Sequence, residues 1–117
     1  MPTTLELAGV ETPEHVEFHS LLPQIHGRKQ SNYDVIYGAY LQVQRMIRTT
    51  DYKLILYPQA RRARLYHVLK DPLEMSDLAD SPEHQPILQK LFTRLLALQQ
   101  EMGDGLDLKS AFPNLAL

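Results

Sequence analysis

The sequence predicts an α+β fold, in which a roughly four-stranded antiparallel sheet packs against one long C-terminal amphipathic helix. Four runs between residues 33 and 69 are rich in β-branched and aromatic residues, and turn-forming or polar segments separate them. Apolar residues then recur at helical spacing between residues 87 and 102. With 117 residues and 44% hydrophobic content, the chain can bury one core.

The first 30 residues predict little regular structure. "TTLELAG", Thr3–Gly9, is typical of the last turns of a helix that ends at a glycine. Such a helix is too short to be stable in water on its own. The Pro-rich and polar stretch that follows contains one short apolar segment, "SLLPQI", and is predicted to be irregular.

The sheet is predicted over about residues 33–69. Its four runs are Tyr33–Tyr40, Val43–Arg48, Tyr52–Pro58 and Ala63–Leu69. "TTDY" between the second and third runs favours a tight hairpin connection. In the third run Leu54 and Leu56 alternate with Ile55 and Tyr57, so both faces carry apolar side chains. This run is therefore predicted to be central in the sheet, and Pro58 is predicted to end it.

The helix is predicted over about residues 82–102. Ser81 is a candidate N-cap with Pro82 at the first helical position, although Pro86 leaves the start open between Ser81 and Gln85. Gly103 is a typical C-terminal stop. The tail, residues 103–117, is predicted to be irregular, with Phe112 and Leu115 docking on the core.

The net charge of −2 hides an asymmetry along the chain. Residues 28–70 hold nine Lys/Arg against only Asp34 and Asp51. This basic middle indicates either an anion-facing surface or internal charge complementarity. Six tyrosines interleave with it, but no known RNA-binding signature occurs and the chain is slightly acidic, so no nucleic acid is expected. No apolar run approaches the roughly 18 residues that a membrane span needs, so no membrane association is expected either.

Two clusters resemble metal sites only superficially. His15 and His19 share helical spacing, with His26 as a third candidate, but the zincin motif needs Glu where Val16 stands. Four acids at intervals of three residues, Asp71, Glu74, Asp77 and Asp80, do not match a calcium loop. They are interpreted as a solvated acidic connector ahead of the helix. The chain has no Cys and no serine in a nucleophile elbow, so no catalytic and no metal residue is predicted.

Four segments in order resemble the C-terminal part of the type I, formylglycine-dependent sulfatases of the alkaline phosphatase superfamily. They are "PTTLELAGVETPEHV", "SLLPQIHG", "QRMIRTTDYKLILYP" and "LYHVLKDPLEMSDLADSPEH". The "RMIRTTDYKLI" hairpin and the "LYHVLKDPLEMSDLA" junction carry most of the likeness. The chain departs from the family at His67, where Asp is usual, and at Asp77, where Asn is usual.

The resemblance implies a division of the chain and a role for it. Residues 1–30 would be the trailing segment of the catalytic domain with its linker, and residues 31–117 the C-terminal subdomain. Calcium and formylglycine belong to the catalytic domain of such enzymes, and the C/S-x-P-x-R motif that yields formylglycine does not occur here. The chain is therefore expected to hold no cofactor, to be inactive alone and to support sulfate-ester hydrolysis by packing on the catalytic domain.

The resemblance also implies partners and a weak site prediction. The partners are the catalytic domain, a sulfated small molecule or glycan bound by the parent enzyme, and a second copy held through exposed apolar surface near Leu5, Leu7, Leu21 and Leu22. Tyr40 and Arg45 are predicted at the rim of the substrate pocket. The competing and favoured interpretation makes Arg45 and Arg48 sheet-face charges that pair with the acidic connector.

A free-standing anion- or nucleic-acid-binding module is the alternative to a sulfatase subdomain. The sequence predicts neither the sulfated substrate nor the compartment.

Overall fold

The computed structural model describes residues 1–116, which form two compact units, the first being Met1–Asp34 and the second beginning at Val35. Within these residues no helix combines the length and the apolar character needed to cross a membrane. Leu117, the last residue of the predicted tail, lies outside the described residues.

The first unit contains two short helices, α1 at Pro2–Leu7 and α2 at Leu22–Ile25. As predicted, a glycine follows α1 in the left-handed region, Gly9 at φ 67°. The Leu21 N–H donates to the Thr3 hydroxyl at 3.0 Å and ties the two segments together. Leu22 is buried, which contradicts its prediction as part of an exposed patch, whereas Leu7 and Leu21 are 69% and 55% exposed.

The second unit begins with a four-stranded antiparallel sheet in the order β1-β2-β3-β4, with the central position of β3 confirmed. The strands are β1 at Ile36–Tyr40, β2 at Gln44–Arg48, β3 at Lys53–Tyr57 and β4 at Arg62–Tyr66. The register places Met46 opposite Ile55, and Ile55 opposite Arg64. Gly38 lies opposite Met46, whose terminal methyl would stand 2.9 Å from a Cβ at residue 38. A larger residue at 38 would therefore displace that methyl.

Helix α3, Gln85–Glu101, covers one face of the sheet, and the predicted α+β fold is confirmed. The core lies between them and is built from Ile47, Leu54, Leu56 and Leu65 of the sheet with Leu88, Leu91, Phe92 and Leu95 of α3. A smaller cluster of Ile55, Tyr66 and Val68, flanked by Met46 and Tyr57, forms the opposite face. We call that face the open face of the sheet.

The start of the helix differs from the prediction. Pro82–His84 is a 3₁₀ turn, and α3 begins only at Gln85. Pro86 lacks the N–H that would donate to the Pro82 carbonyl in an α-helix, so the first turn cannot close in that form. The Ser81 hydroxyl does not cap a backbone N–H, and it lies 2.9 Å from His84 Nδ1 instead. The predicted stop is correct, since Gly103 has φ 66°.

The tail is more ordered than predicted. It contains α4 at Leu108–Ala111 and a 3₁₀ turn at Pro113–Leu115. The Asp107 carboxylate accepts the Ser110 N–H at 3.0 Å and caps α4. Leu108 and Phe112 are buried in the core, and the Phe112 ring meets that of Phe92 edge-on at 6.2 Å between centroids. The predicted docking of Phe112 is therefore observed.

Candidate functional site

Arg45, one of the two predicted rim residues, is buried between sheet and helix, with only 5% of its surface exposed. Its Nε and Nη2 atoms donate to the carboxylate of Asp104, the latter at 3.0 Å. Nη1 donates to the carbonyls of Leu41 at 2.6 Å and Gln44 at 2.8 Å. In this chain the guanidinium is thus occupied by partners from its own domain.

Asp104 joins three segments of the second unit. Besides Arg45, it accepts the hydroxyl of Tyr37 in β1 and the N–H of Leu106 at 3.1 Å. The hydrogen bond from Arg45 holds the pKa of Asp104 well below its usual range. Burial, with the adjacent carboxylate, raises the pKa of Tyr37 to about 12. At neutral pH the network therefore consists of an arginine cation, an aspartate anion and a neutral tyrosine.

Tyr40, the other predicted rim residue, is 64% exposed at the end of β1. It lies opposite Gln44, while Arg45 lies opposite Ala39, so the Tyr40 and Arg45 side chains leave the sheet on opposite faces. Tyr40 precedes a tight loop in which Leu41 has a left-handed φ of 44° and is 72% exposed. The structure does not bring the two residues together in this chain. Their contact with a substrate stays a prediction.

The competing prediction, that Arg45 and Arg48 pair with the acidic connector, names the wrong residues. Arg45 pairs with Asp104, which lies beyond the helix, and Arg48 is exposed at the end of β2. The connector is bound instead by Lys53, whose Nζ lies 2.8 and 2.9 Å from the Glu74 carboxylate oxygens. Charge pattern alone could not choose among the basic residues of neighbouring strands.

Three of the four connector acids, Asp71, Glu74 and Asp77, hold the connector in shape, which the solvated-connector interpretation missed. Asp71 accepts the Ser76 N–H at 2.8 Å. Asp77 accepts the N–H groups of Leu65 and Ala79, both at 3.1 Å, and so binds the connector to the outer edge of β4. The spacing from Asp77 to Ala79 is that of an Asx turn, a signal present in the sequence. These three acids serve as internal acceptors or, in Glu74, as a counter-charge.

The histidine candidates do not assemble into a metal site. Among residues 1–116 no group of three His, Cys, Asp or Glu side chains could hold a metal ion. The His19 ring lies 5.4 Å from that of Tyr33. The resemblance to the sulfatases assigns calcium to the catalytic domain, and that assignment stays a prediction.

His67, where the resemblance to the sulfatases predicts Asp, has an aromatic neighbour. Its ring lies 4.5 Å from that of Tyr52, and its Nδ1 is buried without a hydrogen-bond partner. The main chain of His67 stabilises the turn that follows β4, because the His67 carbonyl accepts the N–H groups of Lys70 and Asp71. The residue packs the junction between β4 and the connector.

The second unit is thus a four-stranded antiparallel sheet covered by one long helix, in which Arg45 pairs with Asp104 and Lys53 pairs with Glu74. A family model described as N-sulphoglucosamine sulphohydrolase, C-terminal, matches residues 1–101. The chain belongs to this family of C-terminal sulfatase domains, as its resemblance to the sulfatases predicted.

Individual relatives of the chain are also sulfatases. The chain is 32% identical over 96 residues to a Delta 4,5-hexuronate-2-O-sulfatase of Bacteroides thetaiotaomicron, covering 75% of this chain and 20% of that protein. It is 31% identical over 116 residues to an N-acetylglucosamine-6-O-sulfatase of the same organism, covering 89% of this chain and 21% of that protein. The chain thus spans about a fifth of each of these two sulfatases.

The fold is shared with solved sulfatases of the alkaline phosphatase superfamily. A solved 2-O GAG sulfatase superposes with a TM-score of 0.73 and 30% sequence identity. The match covers 88% of this chain and 24% of that one. The same arrangement of sheet and helix therefore occurs as one quarter of a longer sulfatase.

Proposed function

We propose that this chain is the non-catalytic C-terminal domain of a sulfatase, and that it supports sulfate-ester hydrolysis by packing on the catalytic domain. The observation that carries the proposal is the family match over residues 1–101, together with a fold that forms about a quarter of a solved sulfatase. These comparisons favour a sulfatase domain over a free-standing anion- or nucleic-acid-binding module.

Exposed apolar side chains support packing on a further domain. In the first unit Leu7, Phe18 and Ile25 are each at least 67% exposed. In the connector Leu73 and Met75 are 79% and 80% exposed. Exposed apolar side chains that form a contiguous patch are typical of interaction surfaces, and Leu73 and Met75, two residues apart, are the candidates for such a patch.

The connector holds its two apolar residues in a fixed position. Glu74 between them has a left-handed φ of 55°, which is unfavourable for a residue with a Cβ. The ion pair of Glu74 with Lys53 and the Asp71–Ser76 hydrogen bond keep it there. A segment anchored in this way loses little conformational entropy when it docks, which favours binding.

The substrate of the whole enzyme is proposed to be a sulfated carbohydrate, because two of the relatives are a hexuronate-2-O-sulfatase and an N-acetylglucosamine-6-O-sulfatase. Formylglycine and calcium would be supplied by the catalytic domain, since the C/S-x-P-x-R motif is absent from the sequence and the described residues form no metal site. The substrate would bind mainly to that domain as well.

The proposal is tested by expressing this chain alone and the longest reading frame that contains it, then measuring sulfate release from 2-O-sulfated unsaturated uronate and 6-O-sulfated N-acetylglucosamine. The longer protein is expected to hydrolyse a sulfated sugar and to lose this activity when the segment corresponding to residues 31–117 is deleted. The isolated chain is expected to release no sulfate from either substrate. Sulfate release by the isolated chain, or a reading frame that encodes nothing more, would overturn the proposal.

A further inference from the structure

The two outer edges of the sheet differ in whether another segment of the chain is hydrogen-bonded to them. The edge of β4 is covered, because the Leu65 N–H donates to Asp77 and the Leu65 carbonyl accepts the Leu78 N–H at 2.7 Å. The outer edge of β1 has no such cover. Among the described residues, β1 pairs with β2 on one side, and no backbone hydrogen bond from any other segment reaches its outer side.

The β1 edge also lacks the features that usually prevent strand pairing. Its sequence, "IYGAY", contains no charged residue and no proline. Ile36 and Tyr40 at its two ends are 52% and 64% exposed. Natural sheets normally protect an edge with lysine, proline, a bulge or a covering segment, and an edge without them is a template for another strand. The absence of charge favours an equally uncharged strand as the partner.

The strand is complementary in side-chain size to a second copy of itself. When two β1 strands run antiparallel with Gly38 opposite Gly38, Ile36 of each copy faces Tyr40 of the other on the open face. On the other face Tyr37 lies opposite Ala39, so a large side chain meets a small one. Aromatic and β-branched cross-strand pairs stabilise antiparallel sheets. This register also brings no charges of like sign together within the paired strands.

We propose that the β1 edge binds a second copy of this chain in that register, producing a twofold-symmetric dimer with one continuous eight-stranded sheet. The interface is isologous, because each copy supplies the same five residues. Main-chain hydrogen bonds provide the pairing, and the Ile36–Tyr40 contacts set the register. The proposal does not depend on the assignment as a sulfatase domain, which a monomeric chain would leave intact.

Sedimentation equilibrium of the purified chain over a wide concentration range tests the dimer. The chain is expected to show a reversible monomer–dimer equilibrium. Tyr40→Lys should raise the dissociation constant of the dimer at least tenfold. Tyr33→Lys, the same change at a half-exposed tyrosine outside the sheet, is the control and should leave the equilibrium unchanged. A chain that stays monomeric up to its solubility limit would overturn the proposal, as would equal effects of the two variants.

Disulfide cross-linking tests the register, since the chain contains no cysteine of its own. The double variant Ile36→Cys/Tyr40→Cys should form a covalent dimer on mild oxidation. Within one strand these positions are about 13 Å apart, too far for an internal disulfide. Ile36→Cys alone faces Tyr40 of the partner and should cross-link only as slowly as Leu73→Cys, an exposed control. Cross-linking of the single variant as fast as the double one would show another register and sink the proposal.

Discussion

Arg45 in the second strand and Asp104 just beyond the covering helix form an ion pair in which the arginine is buried and the aspartate partly buried, with side-chain exposures of 6% and 16%. The pair fixes the C-terminal end of α3 over the sheet, and the hydroxyl of Tyr37 adds the edge strand to the same carboxylate. One carboxylate thus links β1, β2 and the segment that follows the helix.

Replacing Asp104 by Asn should destabilise the domain by about 3–5 kcal/mol, because Arg45 would keep its buried charge without a counter-ion. Urea unfolding followed by circular dichroism measures this free energy. Arg48→Ala is the matched control, since Arg48 lies three residues away in the same strand but is exposed, and it should change stability by about 0.5 kcal/mol or less. Equal losses in the two variants would mean that the ion pair contributes nothing specific.

The raised pKa of Tyr37 predicts that the free energy of unfolding falls at alkaline pH. Its pKa is raised from 10.0 to about 12 in the folded chain, so the folded state retains a proton that the unfolded state has lost between these values. Stability from this group is therefore fully present below pH 10 and declines as the pH rises from 10 towards 12. Tyr37→Phe removes the group. The difference in unfolding free energy between the natural chain and Tyr37→Phe should shrink across this interval, and a constant difference would refute the linkage.

Phe92 tests the packing of the helix on the sheet. The side chain is fully buried in the core and meets Phe112 from the tail. Phe92→Ala should cost about 3–5 kcal/mol through lost burial and the cavity that remains. Arg94→Ala on the exposed side of α3 should be nearly neutral. Thermal and urea unfolding compare the two, and a loss well under 1 kcal/mol for Phe92→Ala would contradict its place in the core.

The elements that repeat a hydrophobic period could be predicted from the sequence. Leu54 and Leu56 alternate with Ile55, and Leu88, Phe92 and Leu95 recur at helical spacing, so the sheet and the helix follow from local pattern. The 3₁₀ turn ahead of α3 departs from the predicted helix start, although its cause, Pro86, is present in the sequence.

The ion pair could not be predicted in the same way. Arg45 and Asp104 are 59 residues apart, and charges carry no period that assigns a partner. The tail that supplies Asp104 has no repeating pattern, because its helix is only four residues long. Its position depends on Leu108 and Phe112 filling the end of the core, which becomes apparent only once the sheet and α3 are assembled.

Asp77 provides a test of the connector in which Asn, the residue that the resemblance to the sulfatases predicts at this position, serves as the control. The Asp77→Ala change removes the acceptor for the Leu65 and Ala79 N–H groups and should cost about 1 kcal/mol. Asp77→Asn keeps a side-chain oxygen that can accept both, so its stability should stay close to that of the natural chain. Hydrogen exchange at Leu65 should accelerate in the alanine variant only. Faster exchange in both variants would show that the negative charge, and not the acceptor, holds the connector to β4.

The exposed connector residues separate a docking role from a folding role. In the isolated chain Leu73→Asp/Met75→Asp should change the unfolding free energy by about 0.5 kcal/mol or less for each site, because both side chains are exposed. In a longer protein that carries the catalytic domain, the same change should lower the melting temperature and the sulfatase activity, since two charges would enter an apolar interface. Gln89→Asp/Gln100→Asp on the exposed side of α3 adds the same charge elsewhere and is the control. If the connector variant and the control behave alike in the longer protein, the connector does not contact the catalytic domain, and the packing must use another surface.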